Sequence, residues 1–494
     1  MNKKQICKVA GFLLVLLVSV SYLTEVFINK WQLFCYESVV PIEFYNLDEN
    51  SVEVGFFGSS QVTLGISGME MYKDYGISAY TLGTANQPML MTYTWLKECY
   101  KTQKLKVALV DVSGLYYNGV KEARYHQALD NMRLSFDKIQ AIYEHCKLHS
   151  NSDPFFSYIF KISKYHSRWD DLTEADFADT ADQPVFRGNV LYSDTVSVDF
   201  ERMAYDNDEL DEDLVMSSEE LSYMNKIVAF CEEKGISLVL IKTPRYDWSV
   251  TKHQQVQAYA EENGIEFLDF SSKEMLEAVG LDAGKDFMDI KHLNIDGAVK
   301  LSDYLGAYLA EKYELTDFRN LAGYDEMNYK QYCERLEDSK LQRCEDTAEY
   351  LQYLENERYD ILIQTTADFT SLSSQDLIDT LESFDVVTDI NSLNGAAFVC
   401  EVNGGVCAYE RASSGSLRYS EYLSDGTHYS LFSSYTVDNI KIEVDFEDYT
   451  FSNAGINILV YDNQNQKVVD KSTISYDAGT DKMVLLKENE AYTM

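Results

Sequence analysis

The 494-residue chain carries 81 Asp and Glu against 42 Lys and Arg, a formal net charge of -39, which excludes nucleic acid and anionic lipid surfaces as partners because both demand a basic footprint. Its 46% apolar content excludes global disorder, and the length suffices for two or three cores. Nine cysteines, spread thinly and without paired Cys-x-x-Cys spacing, exclude a disulfide scaffold and point to no metal site; no metal and no cofactor is expected.

Lys3, Lys4 and Lys8 precede an apolar run from Val9 to Thr24 that resumes as Val26-Phe27-Ile28 after a single Glu25, about the length needed to cross a bilayer core. Positive charge ahead of the span predicts a cytoplasmic N-terminus and an exported bulk. With no small-x-small cleavage site, residues 1–28 are read as an uncleaved single-pass anchor in the cell membrane rather than a signal peptide. Residues 29–50 form a juxtamembrane connector.

From Val52 the run Val52-Glu53-Val54-Gly55-Phe56-Phe57-Gly58 stops at Ser59-Ser60-Gln61. It reads as a strand buried on both faces that delivers a hydroxyl to its C-terminal end. Ile77 to Leu82 is the second strand, Pro88 to Gln103 a helix with Pro where its missing N–H costs nothing, and Lys106 to Val112 the third strand. Residues 114–215 interrupt the rhythm. Glu122 to His149 has helical spacing, whereas Asp170-Asp171, Asp176, Asp179 and the acidic run Asp206 to Asp213 look like exposed loops. An insertion placed after a strand reads either as a lid or acceptor groove or as ornament. Ser217-Ser218-Glu219-Glu220 opens a capped helix that ends at Gly235. Strand Ile236 to Ile241, helix 251–262, strand Ile265 to Phe270 and a last helix from Ile295 to Tyr313 complete the unit. Alternating strands and helices imply an α/β fold, a three-layer flavodoxin-like parallel sheet with right-handed crossovers.

Asp289 and His292 stand three apart just before that last helix. A serine hydroxyl needs a neighbouring base; His292 has the right chemistry, and Asp289 can hold its ring in the useful tautomer. Taken singly, His292 and Asp289 also fit a helix start and its cap, and Gly83 a plain turn. In combination, Gly58-Ser59-Ser60, Gly83 within Tyr80-Thr81-Leu82-Gly83-Thr84, and Asp289 with His292 resemble the blocks of the SGNH, or GDSL-like, hydrolase superfamily over about residues 51–315. The resemblance implies Ser60 as nucleophile, His292 as base, Asp289 as its orienting acid, and an oxyanion hole from the Ser60 and Gly83 N–H groups. Asn86 is added as a third donor on sequence proximity. Two departures stand out: Val110-Asp111-Val112-Ser113-Gly114 lacks the Asn usual in the third block, and Gln61 occupies a position where relatives often place His. The run from Gly58 through Gln87-Pro88 is similar to the cell-surface branch used in teichoic acid D-alanylation and exopolysaccharide O-acetylation. This branch implies acyl transfer or ester hydrolysis on a cell-envelope polysaccharide or teichoic acid, with a membrane-bound O-acyltransferase as partner.

Residues 316–355 are charged and helical in pattern, and read as a linker. Residues 356–485 read as a β-rich α+β domain: strand Tyr359 to Gln364, helix Ser373 to Phe384, hairpin Ala396 to Tyr409 about Asn403-Gly404, and strands Asn439 to Asp445 and Gly455 to Tyr461. This order resembles the interleukin-like EMT inducer domain, which implies a binding module. If Asn403-Gly404 is a two-residue loop, Cys400 and Cys407 face each other and form a cross-strand disulfide. The alternative to an enzyme is a degenerate SGNH scaffold carrying a C-terminal glycan-binding module.

Overall fold

The computed structural model describes residues 3–28, 36–150, 152–177, 185–205, 209–321, 326–365, 375–389, 397–433, 441–477, 479–480 and 482–488. They fall into two compact units, Met1–Tyr332 and Cys333–Met494.

The first unit begins with helix Lys3–Phe27, whose segment Gln5–Phe27 is long and apolar enough to cross a membrane, with mean hydropathy 2.2. Its sheet consists of β1 (Val54–Gly58), β2 (Ala79–Gly83), β3 (Val107–Asp111), β4 (Ser237–Lys242) and β5 (Glu266–Asp269), all parallel, in the order β2-β1-β3-β4-β5. Successive side chains enter opposite cores, as the pleat dictates. Phe57, Ala108, Val110 and Leu240 pack with Trp95, Leu96, Met224 and Ile227 from helices Met89–Tyr100 and Ser218–Lys234. On the other face, Phe56, Val107, Leu109 and Val239 pack with Met71, Leu301, Leu305 and Leu309 from helices Gly68–Tyr75 and Ile295–Lys312. Phe56 and Phe57 are both fully buried, each contributing about 2–3 kcal/mol by removal from water.

Helix boundaries follow local chemistry. Ser217 accepts the Glu220 N–H at the start of Ser218–Lys234, and Gly235 ends that helix at φ 69°, where a side chain would be strained. In this strand order the chain reverses between β1 and β3, which opens a crevice at their carboxyl ends.

The insertion is more ordered than its composition suggests. The stretch of helical spacing forms two helices, Glu122–Asp130 and Phe136–Leu148. Asp176, expected in an exposed loop, is 3% exposed because it takes the Arg168 guanidinium and the Thr173 N–H. Asp179 and residues 206–208 lie outside the described residues. The return segment 185–198 binds the main body: Val190 N and Asn189 Nδ2 donate to the Thr63 carbonyl, and Val196 N donates to the Phe287 carbonyl.

The second unit is helical on one side and β on the other. Strands β6 (Tyr359–Thr365), β7 (Ala397–Asn403), β8 (Val406–Ser413), β13 (Ile456–Asp462), β14 (Lys467–Asp477) and β15 (Lys482–Lys487) form an antiparallel sheet in the order β15-β14-β13-β6-β7-β8. The strands β9 (Leu417–Tyr422), β10 (His428–Ser433), β11 (Lys441–Val444) and β12 (Glu447–Asp448) make a second antiparallel sheet. Ile361 and Ile363 face Leu341, Tyr350, Leu351 and Leu381, whereas Leu362 turns the other way, toward Tyr429, Leu431 and Ile442. Residues 333–354, expected to be a linker, therefore belong to this core. Tyr350 is fully buried and its hydroxyl donates to Asp470 across 2.8 Å.

The expected Asn403-Gly404 loop, and with it the directly facing Cys400–Cys407 pair, is shifted by the register. The turn is Gly404-Gly405, with φ of 55° and 83°, and the register slips at Glu401/Val402; Cys400 and Cys407 are free thiols whose side chains still meet diagonally in a hydrogen bond that pushes the Cys400 thiol up. Two adjacent positive-φ residues make a tight hairpin turn that glycine adopts without strain. Cys407 consequently lies opposite Val402, and Cys400 opposite Glu410.

Candidate active site

β1 ends at Gly58, whose φ is 155° and where a Cβ would lie 2.5 Å from Asp111 Cβ. The chain can turn here only without a side chain. Ser59 then caps helix Ser60–Gly65 by accepting the Gln61 N–H at 3.3 Å. Ser60 is thus the first helical residue, and its N–H is among those with no intrahelical acceptor.

Ser60 Oγ lies 2.9 Å from His292 Nε2. The other ring nitrogen, Nδ1, lies 3.0 and 3.1 Å from the two Asp289 oxygens. With Nδ1 protonated toward Asp289, Nε2 keeps a lone pair for the serine proton. Asp289 also accepts the backbone N–H groups of Lys291 (2.6 Å) and His292 (2.9 Å). Burial opposes its charge, but the His292 contact and these N–H groups outweigh it and hold the carboxyl below its ordinary range. Exposure rises from Ser60 (9%) through the His292 side chain (20%) to that of Asp289 (46%), so the serine sits at the base of the arrangement and the carboxylate at its rim.

Gly83 closes β2 beside Gly58. A Cβ on it would lie 2.6 Å from both the Ser59 carbonyl and Thr63 Oγ1, so close packing of helix 60–65 already demands glycine. Asn86 is exposed in the turn after β2 at φ 49°. Among the described residues it makes no hydrogen bond to Ser60, Gly83 or His292.

Several further buried residues support this arrangement. Asp111 is 1% exposed; its Oδ2 accepts Ser59 Oγ–H (2.6 Å) and N–H (3.3 Å), and its Oδ1 accepts Ser113 Oγ–H (2.8 Å) and N–H (3.1 Å). Gln61, also buried, bridges two elements. Its Nε2 donates to the Lys291 carbonyl at 2.7 Å, while Oε1 accepts Thr243 Oγ1–H at 2.6 Å and Lys242 Nζ at 3.2 Å. Lys242 is fully buried below the Trp248 ring. Burial drives its pKa down to about 7, with Asp111 opposing and Arg245 adding to the shift. In the sequence, Gln61 and Asp111 stand out as departures from the SGNH pattern, but nothing there joins them into a network.

No family model matches the chain, and no curated protein sequence matches it. Among solved structures, it is similar to the crystal structure of a candidate acylhydrolase from Bacteroides fragilis NCTC 9343, at 9% identity and a TM-score of 0.28, over 55% of this chain and 94% of that one. That likeness is too distant to carry a function.

Proposed function

We propose that the first unit is a serine-dependent acyl-transfer enzyme or esterase of the SGNH type. The observation that carries this reading is the continuous line from Ser60 Oγ through the His292 ring to Asp289 at the carboxyl edge of a parallel sheet, where α/β folds bind ligands. In the proposed cycle, His292 Nε2 takes the Ser60 proton as Oγ attacks an acyl carbonyl, and Asp289 stabilises the imidazolium. The Ser60 and Gly83 N–H groups, with Asn86 as a further donor, receive the developing oxyanion. His292 then returns the proton to the leaving group, and water or a sugar hydroxyl releases the acyl group from Ser60.

The proposed setting is the outer side of the cell membrane. Lys3, Lys4 and Lys8 before the apolar helix favour a cytoplasmic N-terminus, and a chain of net charge -39 is suited to an exposed location away from anionic lipid. The substrate proposed is a cell-envelope glycopolymer, a polysaccharide or teichoic acid bearing O-acetyl or D-alanyl groups, with a membrane-bound O-acyltransferase as acyl supplier. One observation favours a second reading, a degenerate scaffold whose C-terminal module binds glycan. Both Asp111 oxygens are committed to Ser59 and Ser113, so Asp111 offers no donor where the superfamily has Asn.

A fluorophosphonate probe separates the two. The enzyme is expected to label at Ser60, with loss of label in Ser60→Ala and His292→Ala. The double variant should lose scarcely more activity than either single one, because members of a catalytic unit are non-additive. An unlabelled wild-type protein would favour the scaffold.

A further inference from the structure

The insertion holds a second cluster of chemically capable side chains, outside the serine site. Helix Glu122–Asp130 places Glu122 and His126 four residues apart, on one face. Asp153, from the loop after helix Phe136–Leu148, meets them, and one ligand atom from each of the three lies within 4.8 Å of the others. His126 is 2% exposed and stacks on Tyr158 with ring centroids 4.0 Å apart.

The decisive detail is proton counting on His126. Its Nδ1 lies 3.2 Å from Asp130 Oδ1, and its Nε2 lies 3.1 Å from Asp153 Oδ2. Carboxylate oxygens only accept, and a neutral imidazole has one N–H and one lone pair. One ring nitrogen therefore turns a lone pair toward an anionic oxygen unless the ring is an imidazolium or a cation lies between Nε2 and Asp153. An imidazolium proton needs a single acceptor. Here Glu122 brings a third ligand atom within 4.8 Å of those of His126 and Asp153, and Nδ1 is held by a carboxylate, the usual way a metal-bound imidazole is oriented.

The other contacts fit a ligand held in place. Glu122 Oε1 accepts the Asp153 N–H at 2.7 Å and the Tyr158 hydroxyl, and its Oε2 faces His145 Nε2 at 2.9 Å. Oε1 is thereby filled, and Oε2 retains one lone pair for a further partner. Asp130 in turn accepts the Tyr165 hydroxyl. The competing cation is Lys164, whose Nζ contacts Asp153 Oδ2; its side chain is 34% exposed, so it can swing into solvent.

We propose that Glu122, His126 Nε2 and Asp153 bind a divalent transition-metal ion of the zinc class, with Asp130 as the positioning carboxylate. One imidazole and two carboxylates suit zinc or manganese better than soft-ligand metals, and leave positions open for water. The site does not depend on the serine chemistry proposed above.

The test uses the full chain, stripped with a chelator and titrated with Zn2+ and with Co2+ as a visible probe. One equivalent is expected to bind, with a d–d absorption band for Co2+. In long-range 15N spectra, Zn2+ should shift His126 Nε2 and leave Nδ1 protonated. His126→Gln should lose stoichiometric binding, Asp130→Asn should weaken it roughly 10- to 100-fold, and Lys164→Met should tighten it by removing the competing cation. Fluorophosphonate labelling of Ser60 in Lys164→Met should match wild type. Binding below one equivalent, unmoved His126 signals, or full binding in His126→Gln would overturn the proposal.

Discussion

Asp111 Oδ2 accepts a hydrogen bond from the Ser59 hydroxyl across 2.6 Å, which ties the end of β3 to the residue immediately before Ser60. Because Ser59 also caps helix Ser60–Gly65, this carboxylate sets the turn that presents Ser60. Asp111→Asn keeps the size but puts an NH2 group against donors on one side. The expected cost is about 2–4 kcal/mol, as for one broken arm of a buried charged network, with a fall in acyl transfer. Chemical denaturation of the two proteins checks the first, and an unchanged midpoint would show that Asp111 does not anchor the turn.

Glu220 gives a prediction in pH. It is 4% exposed and accepts the Met89 N–H at 2.6 Å. Burial pushes its carboxyl up to about 8, against the opposing Met89 contact. The folded chain therefore holds a proton that the unfolded chain releases near its ordinary pKa of about 4.3, and stability falls as pH rises from there through about 8. Glu220→Gln keeps the acceptor for Met89 without the ionisable proton. It should match wild type in acid and exceed it by roughly 1–3 kcal/mol above the Glu220 pKa. Equal pH dependence of the two unfolding midpoints would refute this.

The second unit should fold only with its helices. Leu341, Tyr350, Leu351 and Leu354 are each at most 1% exposed and share a core with Ile361, Phe398 and Ile458. A fragment beginning at residue 333 is expected to give a cooperative melt. One beginning at 355 loses these side chains and that of Cys344, at about 2–5 kcal/mol for each large one, and should stay unfolded by circular dichroism.

What the sequence made legible was whatever depends on short-range pattern. The five buried positions of Val54–Gly58 could be read because a doubly covered strand has no polar alternation. Helix Ser218–Lys234 could be read because a serine cap and a terminal glycine bracket it. Ser60, Asp289 and His292 were nameable from three short blocks, and the fold brings their side chains into line across 232 residues. Asp111 is not, since its two bonds to Ser113 are those of any turn former and its two bonds to Ser59 exist only once β3 sits beside β1. The hairpin was placed one residue early because Asn403-Gly404 and Gly404-Gly405 are both good turns, and long-range pairing decides between them. Residues 333–354 read as polar linker because a one-sided apolar stripe is diluted by charge on the other face.

Gln61 offers the most discriminating experiment. Its amide uses both ends, holding Lys242 and Thr243 with oxygen and the Lys291 carbonyl with nitrogen. Lys291 adjoins His292, so this bond tethers the loop that sets the Ser60–His292 distance. Gln61→Glu keeps the acceptor for Lys242 and Thr243 but cannot donate to Lys291 when ionised. The expected result is a fall of about 10- to 100-fold in acyl transfer, carried by kcat rather than KM, because misplacing a reacting group by an ångström costs on that order. A purely structural role would move stability alone. A second readout follows from Lys242, whose pKa of about 7 lies far below that of a lysine in the unfolded chain, about 10.4. Between these values the unfolded chain binds more protons, so the Lys242 contribution makes stability rise with pH. A carboxylate at position 61 favours the ammonium form, which narrows that window and flattens the rise. If Gln61→Glu keeps wild-type kcat together with an unaltered pH slope, neither the tether to Lys291 nor the contact with Lys242 operates as described.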